Sequence, residues 1–395
     1  MAFYRIKSYL SLSYIKAALI TVLLFLFIAN PVFAQENDFE AEPEINVSYA
    51  SGKVLEIISE TSNKELEESF DMEQTVQLAK VFVLNGKYRG KVVEIENQLT
   101  SNPIYDINIK KDSRVILNIE EHGKEVIFYI ADLDRTPVLF ILVGTFLALL
   151  MIIGGMQGLR AIASLVITSF LIFFMLIPAI LESAPVIPAT VVVALISTFA
   201  TMFMVTGVNK KSLSASLGTV FSVMIAGFLS SMVIKFAPLN GFGSHESAML
   251  WASRPDLDFT GILTAGVIIA SLGAVMDVGM SIASSISEFK KVNSHLSVKE
   301  LFSSGLNVGK DIMGTMSNTL IMAYIGGAFT LVLVAADAPL IKLVNLNAIA
   351  AEITSALAGS IGIVLCVPIT AIITAYLIGK ENISVQNDSE KNIEV

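Results

Sequence analysis

The amino-acid sequence predicts an α-helical protein that crosses the membrane about seven times and carries a small all-β domain before the first crossing. The first observation is composition, because 54% of the 395 residues are hydrophobic and only 15% are charged, whereas soluble proteins average about 45–50% and about 25%. The second is a series of apolar runs, each close to the roughly 20 residues that a helix needs to cross a bilayer. The single cysteine excludes an intrachain disulfide, and the net charge of −9 argues against nucleic-acid binding.

Residues 1–34 have the features of an export signal. Three basic residues precede an apolar run over residues 17–29, and Val32 and Ala34 are small enough for a signal-peptidase site. The pattern predicts either a signal peptide cleaved after Ala34 or an uncleaved anchor helix. In both cases the segment that follows is exported.

Residues 35–136 are acidic and carry strand signals, so we expect a small extracytoplasmic sandwich or partly open barrel. This segment contains 21 acidic and 11 basic residues, a balance of −10. The dipeptides Asn85-Gly86 and His122-Gly123 each separate two runs rich in β-branched residues, which predicts two hairpins. The predicted strand segments are 52–58, 81–84, 91–95, 115–117 and 126–130.

Residues 137–379 form the predicted membrane domain, in which ten acidic residues balance ten basic ones. The predicted spans are 137–155, 161–179, 188–207, 215–236, 261–282, 312–335 and 354–378. Lys and Arg are enriched in cytoplasmic loops. With the head outside, the cytoplasmic loops hold Arg160, Lys210, Lys211, Lys290, Lys291, Lys299 and Lys310, and the outer loops hold Lys235, Arg254 and Lys342. This asymmetry predicts an extracytoplasmic N-terminal domain and a polar cytoplasmic tail over residues 380–395.

Polar side chains interrupt the fifth and sixth predicted spans at helical spacing. Asp277 lies deep in the fifth span, where an ionised carboxylate costs about 2.5–3.5 kcal/mol, so we expect it to face the protein interior or water. Residues three or four apart share one face of a helix, and two such stripes, facing each other, would line a cavity suited to a hard cation or a proton. The stripe residues are Asp277, Ser281, Ser284 and Glu288 on the fifth span, and Asn307, Lys310, Asp311, Thr315 and Asn318 around the sixth.

A structural role is the alternative for both stripes. Asp277 would then pair with Lys310 or hydrogen-bond across the bundle. Asp311 would begin a helix, where a negative charge suits the helix dipole.

The rest of the membrane domain indicates packing rather than catalysis. The fourth span repeats a small residue every four positions, which favours close helix contact; the residues are Ser214, Gly218, Ser222, Ala226 and Ser230. The sequence contains no HExxH, GxSxG or P-loop motif, and the predicted spans contain no histidine. We therefore expect no enzymatic activity, no metal site and no cofactor.

Two stretches of the membrane domain resemble the YibE/F-like family of bacterial multi-pass membrane proteins. They are GAVMDVGMSIA at 273–283 and GKDIMGTMSNTL at 309–320, the latter followed by Ala323-Tyr324. The resemblance covers the whole chain and implies a leading hydrophobic segment, a β-rich head and about seven spans, but no substrate or reaction. Two departures are Lys310, where the family often has an Arg with its planar fork, and residues 111–114 (KDSR), where a Gly-Asp turn is expected.

These features predict a transporter or permease-like protein of the cell membrane, with an ion or proton path along the helices of Asp277 and Asp311. The alternative is a non-transporting scaffold or sensor whose exported head binds a partner or cations. The expected surroundings are the lipid bilayer and either a second copy of the chain or a paralogous membrane protein.

Overall fold

The computed structural model describes residues 46–62, 75–100, 102, 106–123 and 125–380. The predicted signal segment lies outside these residues, and so does the predicted tail beyond Lys380. The chain divides into two compact units, whose described parts are residues 46–149 and 150–380.

The first unit contains a five-stranded antiparallel sheet in the order β3-β2-β1-β4-β5. Its strands are β1 (Asn46–Ser62), β2 (Thr75–Val83), β3 (Val92–Leu99), β4 (Arg114–His122) and β5 (Glu125–Leu133). The two edge strands, β3 and β5, contact each other, so the sheet curls into a partly open barrel. Both predicted hairpins are confirmed, since β2 pairs with β3 around Asn85-Gly86 and β4 pairs with β5 around His122-Gly123.

The barrel core follows from the alternation of side chains along each strand. Val54 of β1, Val81 of β2 and Leu117 of β4 are fully buried. The first hairpin loop is fixed to β1 because the Asn85 side-chain oxygen accepts a hydrogen bond from the Ser51 amide at 2.7 Å. The next residue, Gly86, has a φ of 75°, a left-handed conformation that glycine adopts without strain.

The turn before β4 places a non-glycine residue, Asp112, in the left-handed region of backbone conformation. Asp112 adopts a φ of 67°, and Asp is among the few non-glycine residues that occupy this region. Its carboxylate lies 2.7 Å from the Lys53 ammonium, which holds the pKa of Asp112 below its ordinary value. The ion pair and the left-handed backbone together define the turn.

The chain from Thr136 onward is helical. The helices are α1 (Thr136–Leu171), a π-helical turn (Ile172–Leu176), α2 (Ile177–Leu181), α3 (Val186–Thr206), α4 (Lys210–Phe236), α5 (His245–Ser253), α6 (Phe259–Val292), α7 (Val298–Gly327), α8 (Phe329–Ala335), α9 (Leu340–Asn345) and α10 (Asn347–Gly379).

Five helical segments of the described chain are long and apolar enough to cross a membrane, and a sixth is added if α7 and α8 count as one span bent by 65°. This count of six differs from the seven predicted spans because the first two predicted spans are not separate helical segments. Predicted spans 137–155 and 161–179 fall in one helical run, Thr136–Leu181. The connection between α6 and α7 covers only residues 293–297, whereas the predicted spans 261–282 and 312–335 leave residues 283–311 between them.

The helical run is interrupted at Gly155, whose φ of 53° and ψ of −127° are not helical. A methyl group built on Gly158 would lie 1.9 Å from the Leu150 carbonyl oxygen. Residues eight apart are separated by roughly 12 Å along a straight helix. The chain must therefore turn back sharply at Gly155.

Helices α4, α6 and α10 form the centre of the membrane domain, with α3 and α7 packed around them. Val275 and Ile282 of α6 and Ile363 of α10 are fully buried. The helices approach closely at glycines, since a methyl group on Gly218 would lie 2.0 Å from the Thr370 hydroxyl oxygen. The small-residue face of α4 is buried throughout, at Ser214, Gly218, Ser222, Ala226 and Ser230.

Candidate functional site

Asp277 lies at the middle of α6, as the nineteenth of its 34 residues. Its neighbours Met276 and Val278 are buried in the bundle, whereas Asp277 is exposed. It continues one face of the helix with three small residues, and we call Gly266, Ala270, Gly273 and Asp277 the open row. A methyl group added at Gly266 or Gly273 would meet nothing within 4 Å. The open row is therefore an exposed face with small side chains on a helix whose other faces are largely buried.

The open row begins at a cavity of about 370 Å³, which we call the Glu352 cavity. Gly266 and Ala270 line it from α6, and the α4–α6 connection, the first part of α10 and one residue of α7 complete its wall. Its other lining residues are Gly241, Gly243, Ser244, Ser247, Ile262, Leu263, Tyr324, Ala348, Ala351, Glu352 and Ser355. The Glu352 cavity, at the start of the open row, thus carries a carboxylate, a phenol and three serine hydroxyls.

The packing of α10 on α6 gives the depth of the two carboxylates. The two helices run parallel, because Gly359 lies opposite Ser271 and Gly362 lies opposite Val275. With this offset Glu352 is level with residue 264, thirteen residues before Asp277. At 1.5 Å per residue the carboxylates are about 20 Å apart along the bundle, one in the cavity at the start of the open row and one halfway through α6.

The packing of α7 on α6 is antiparallel and brings the second predicted stripe to the level of the first. Gly305 contacts Ile286, and Leu320 and Ser271 both contact Gly359. These contacts place Asp277 at about the level of Gly314.

The α7 stripe lies on the side of the helix that is turned away from the bundle. Leu301, Gly305, Gly309 and Leu320 are the buried residues of α7. The stripe residues Asn307, Lys310, Asp311, Thr315 and Asn318 are all exposed. In place of the expected enclosed cavity, the structure has two polar faces at one level, each on the open side of its helix.

The structural alternatives for the aspartates receive no support from the described contacts. No ion pair joins Asp277 to Lys310. Asp311 does not begin a helix, because α7 starts at Val298, thirteen residues earlier. Lys310 likewise lies well inside α7 and not in a loop.

The remaining residues of the α6 stripe lead toward the far end of the bundle. Ser281 and Ser284 are half-buried below Asp277. Glu288 is exposed, and its carboxylate accepts a hydrogen bond from Lys291 at 2.7 Å. Glu288 is therefore paired within its own helix end, one turn from the connection to α7.

Sequence reasoning missed Glu352 and Tyr324. The last span was predicted to start at residue 354, whereas α10 begins at Asn347, so Glu352 lies inside the helix and is half-buried. Tyr324 and Glu352 also line a second, apolar cavity of about 200 Å³ between α7 and α10. The available signal was an acidic residue two positions before an apolar run, together with Tyr324 in the motif that carries the family resemblance.

Metal binding has no ready ligand set in the described part of the chain, where no group of three or more His, Cys, Asp or Glu side chains comes together. Cys366 is buried against the Val275 carbonyl and the Thr370 hydroxyl. The functional candidates are therefore carboxylates of the open row and its cavity.

Comparison with known proteins identifies both units. The profile described as YibE/F-like protein matches residues 142–380, and the profile described as YibE/F family N-terminal domain matches residues 48–133. No curated protein and no solved structure matches the chain.

Proposed function

The chain belongs to the YibE/F-like protein family, and from its membrane architecture we propose that it is a transporter or permease-like protein that moves a cation or protons along the open row of α6. The observation that carries the proposal is Asp277, an exposed carboxylate at the middle of an apolar helix. Small residues alone separate it along this face from the Glu352 cavity. Such intramembrane carboxylates mark ion and proton paths in membrane proteins.

The two carboxylates have complementary roles in this proposal. Glu352, in the cavity at the start of the open row, attracts a cation from water, with the serine hydroxyls of the cavity as further oxygen ligands. Asp277 receives it about 20 Å deeper, where the ionised form alone costs about 2.5–3.5 kcal/mol. Binding a proton or a cation offsets that cost, so occupancy of Asp277 is favourable and reversible.

The proposal includes seven crossings, with the head outside and the C-terminus in the cytoplasm. The sharp turn at Gly155 supports it by separating two crossings within Thr136–Leu181. The basic residues at the start of α4, the end of α6 and the start of α7 support the sidedness, because cytoplasmic loops are enriched in Lys and Arg.

The exposed polar face of α7 supports assembly with a second copy of the chain or with a paralogous membrane protein. Lipid tails offer no partners for Asp311 and Asn318. A neighbouring subunit, or water held between subunits, supplies them.

The test of transport uses the full chain in proteoliposomes with an imposed membrane potential and, in parallel preparations, a proton-sensitive or a Na⁺-sensitive dye in the lumen. We expect proton or Na⁺ flux above that of empty liposomes. Asp277→Asn should reduce the flux at least tenfold, because the amide cannot carry a proton or the charge that binds a cation. Asp277→Glu should retain part of it.

The matched control is Asp337→Asn, an exposed aspartate in the connection between α8 and α9, which should leave the flux unchanged. Equal flux in wild type and Asp277→Asn, with both inserted and folded, would contradict transport along the open row. That result would favour the scaffold or sensor in which the exported head is the functional part.

A further inference from the structure

A third cavity, of about 420 Å³, lies at the opposite end of the bundle from the Glu352 cavity. Its described lining residues come from the start of α4, the end of α6 and the end of α10. They are Asn209, Lys210, Lys211, Ser287, Lys290, Lys291 and Ile378. We call it the basic cavity, because four of the seven are lysines.

The described lining of the basic cavity is positively charged, and one of its lysines pairs with Glu288. None of the described lining residues is acidic. The carboxylate of Glu288 pairs with Lys291 at 2.7 Å. Lys290 is 9% exposed and donates hydrogen bonds to the carbonyls of Ser294 and Leu296, at 2.8 and 3.0 Å. Its buried ammonium is held by neutral carbonyl groups, so its charge adds to the field in the cavity.

The start of α4 adds a second source of positive potential. Asn209 caps the helix by accepting a hydrogen bond from the Ser212 amide at 2.8 Å. The first turn, at Lys210 and Lys211, carries the positive end of the helix dipole. Backbone amides and lysines at one helix start favour an anion with several oxygen atoms, such as a phosphate group.

The rim of the basic cavity is apolar. Val208 precedes Asn209 and is 85% exposed, and Val292 follows Lys291 and is 88% exposed. Ile378 contributes an apolar wall. Exposed valines beside lysines at the end of a membrane bundle fit a ligand with a charged head and an apolar body, and basic pockets at this position suit anionic lipid headgroups.

We propose that the basic cavity binds the phosphate group of an anionic phospholipid, with Lys211 and Lys291 as the contacting cations and Val208 and Val292 against the acyl chains. Lys290 is a positioning residue that fixes the α6–α7 connection below the cavity. The shared chemistry with a soluble phosphate is the phosphate group itself, and the apolar rim favours the lipid.

The test is native mass spectrometry of the purified full chain in detergent, titrated with phosphatidylglycerol, with phosphatidylcholine or with inorganic phosphate. We expect preferential binding of phosphatidylglycerol. Lys211→Gln should weaken it about fivefold, since a lysine near an anionic membrane surface contributes roughly that factor. Lys211→Gln combined with Lys291→Gln should weaken it by roughly the product, and Lys211→Arg should bind as wild type.

The matched control is Lys299→Gln, an exposed lysine at the same end of the bundle that does not line the basic cavity. It should change binding less than twofold. Equal weakening by Lys299→Gln and Lys211→Gln would overturn the site and leave general charge attraction. Equal binding of the two lipids, or retention of inorganic phosphate without the lipid, would overturn the lipid assignment.

Discussion

At the scale of single residues, two glycines of α7, Gly309 and Gly314, have opposite surroundings. A methyl group on Gly309 would lie 2.2 Å from a methyl carbon of Val367, whereas one on Gly314 would meet nothing within 4 Å. Gly309→Val should therefore lower the free energy of unfolding by about 1–3 kcal/mol more than Gly314→Val, because only the first overpacks the α7–α10 contact. Denaturant unfolding of the full chain in detergent measures the difference. Equal losses would contradict the packing of α7 on α10.

A single carboxylate in the barrel gives the head a sensitivity to acid. Glu121 accepts hydrogen bonds from Lys87 at 2.7 Å and from Tyr88 at 2.8 Å, and these bonds hold the pKa of Glu121 below its ordinary value of 4.5. A lowered pKa means that the carboxylate stabilises the fold above pH 4.5 and that this contribution is lost as the pH falls through the folded-state pKa. Protection of β4 from hydrogen exchange in the full chain, corrected for the intrinsic rate, should fall in that range.

Glu121→Gln tests the cause, because the amide does not titrate and should flatten the acid dependence. Glu125→Gln is the control, since Glu125 is exposed on the neighbouring strand and has no such bonds to Lys87 or Tyr88. An unchanged acid dependence in Glu121→Gln would assign the effect to another group.

Among the candidate residues, the sequence alone locates Asp277 but not Glu352. Asp277 could be found from the sequence because a charge within a long apolar run is a local signal. Glu352 could not be found in this way. Its position beside the start of the open row depends on the contact between Gly359 and Ser271, residues 88 apart in the chain. Likewise, spacing places the α7 stripe on one face, but only the packing shows that this face is turned away from α6 and α10.

At the scale of elements, the break in α1 at Gly155 is the feature on which the proposed separation of two crossings within Thr136–Leu181 depends. Its φ of 53° and ψ of −127° are accessible to glycine but strained for any residue with a Cβ atom. Gly155→Ala should lower the free energy of unfolding by about 1–3 kcal/mol. Gly154→Ala is the matched control, because a methyl group there meets nothing within 4 Å and alanine favours the helix. Equal effects of both substitutions on detergent unfolding would contradict a sharp turn at Gly155.

The sequence predicts hairpins that a short turn motif specifies, but it does not predict strand pairing between segments that are distant in the chain. The Asn85-Gly86 and His122-Gly123 turns specify their hairpins within a few residues. The central place of β1, which pairs with both β2 and β4, follows from long-range pairing that no local motif encodes. The bend between α7 and α8 at Ala328 directly follows Gly326 and Gly327, a local kink signal inside the predicted span 312–335.

At the scale of the whole molecule, the chain consists of two units, each with its own hydrophobic core. The acidic head has a curled sheet with its own core, and the membrane domain has a bundle in which Asp277 and Asp311 lie on exposed helix faces. Composition predicted this division because an apolar body and an acidic head differ over a hundred residues or more. Composition does not locate the Glu352 cavity or the basic cavity, because each is lined by three or more separate segments of the chain.

The sidedness of the bundle gives the last prediction. α6 has 34 residues, about 51 Å of helix, which exceeds the roughly 30 Å of a bilayer core, so its two ends emerge on opposite sides. In intact cells, an impermeant maleimide should label Glu246→Cys, in α5 beside the Glu352 cavity, and should label Lys299→Cys, at the basic end, only after permeabilisation. The native Cys366 is fully buried and gives little background. Labelling of Lys299→Cys in intact cells, with Glu246→Cys protected, would reverse the topology and with it the face from which a cation enters the open row.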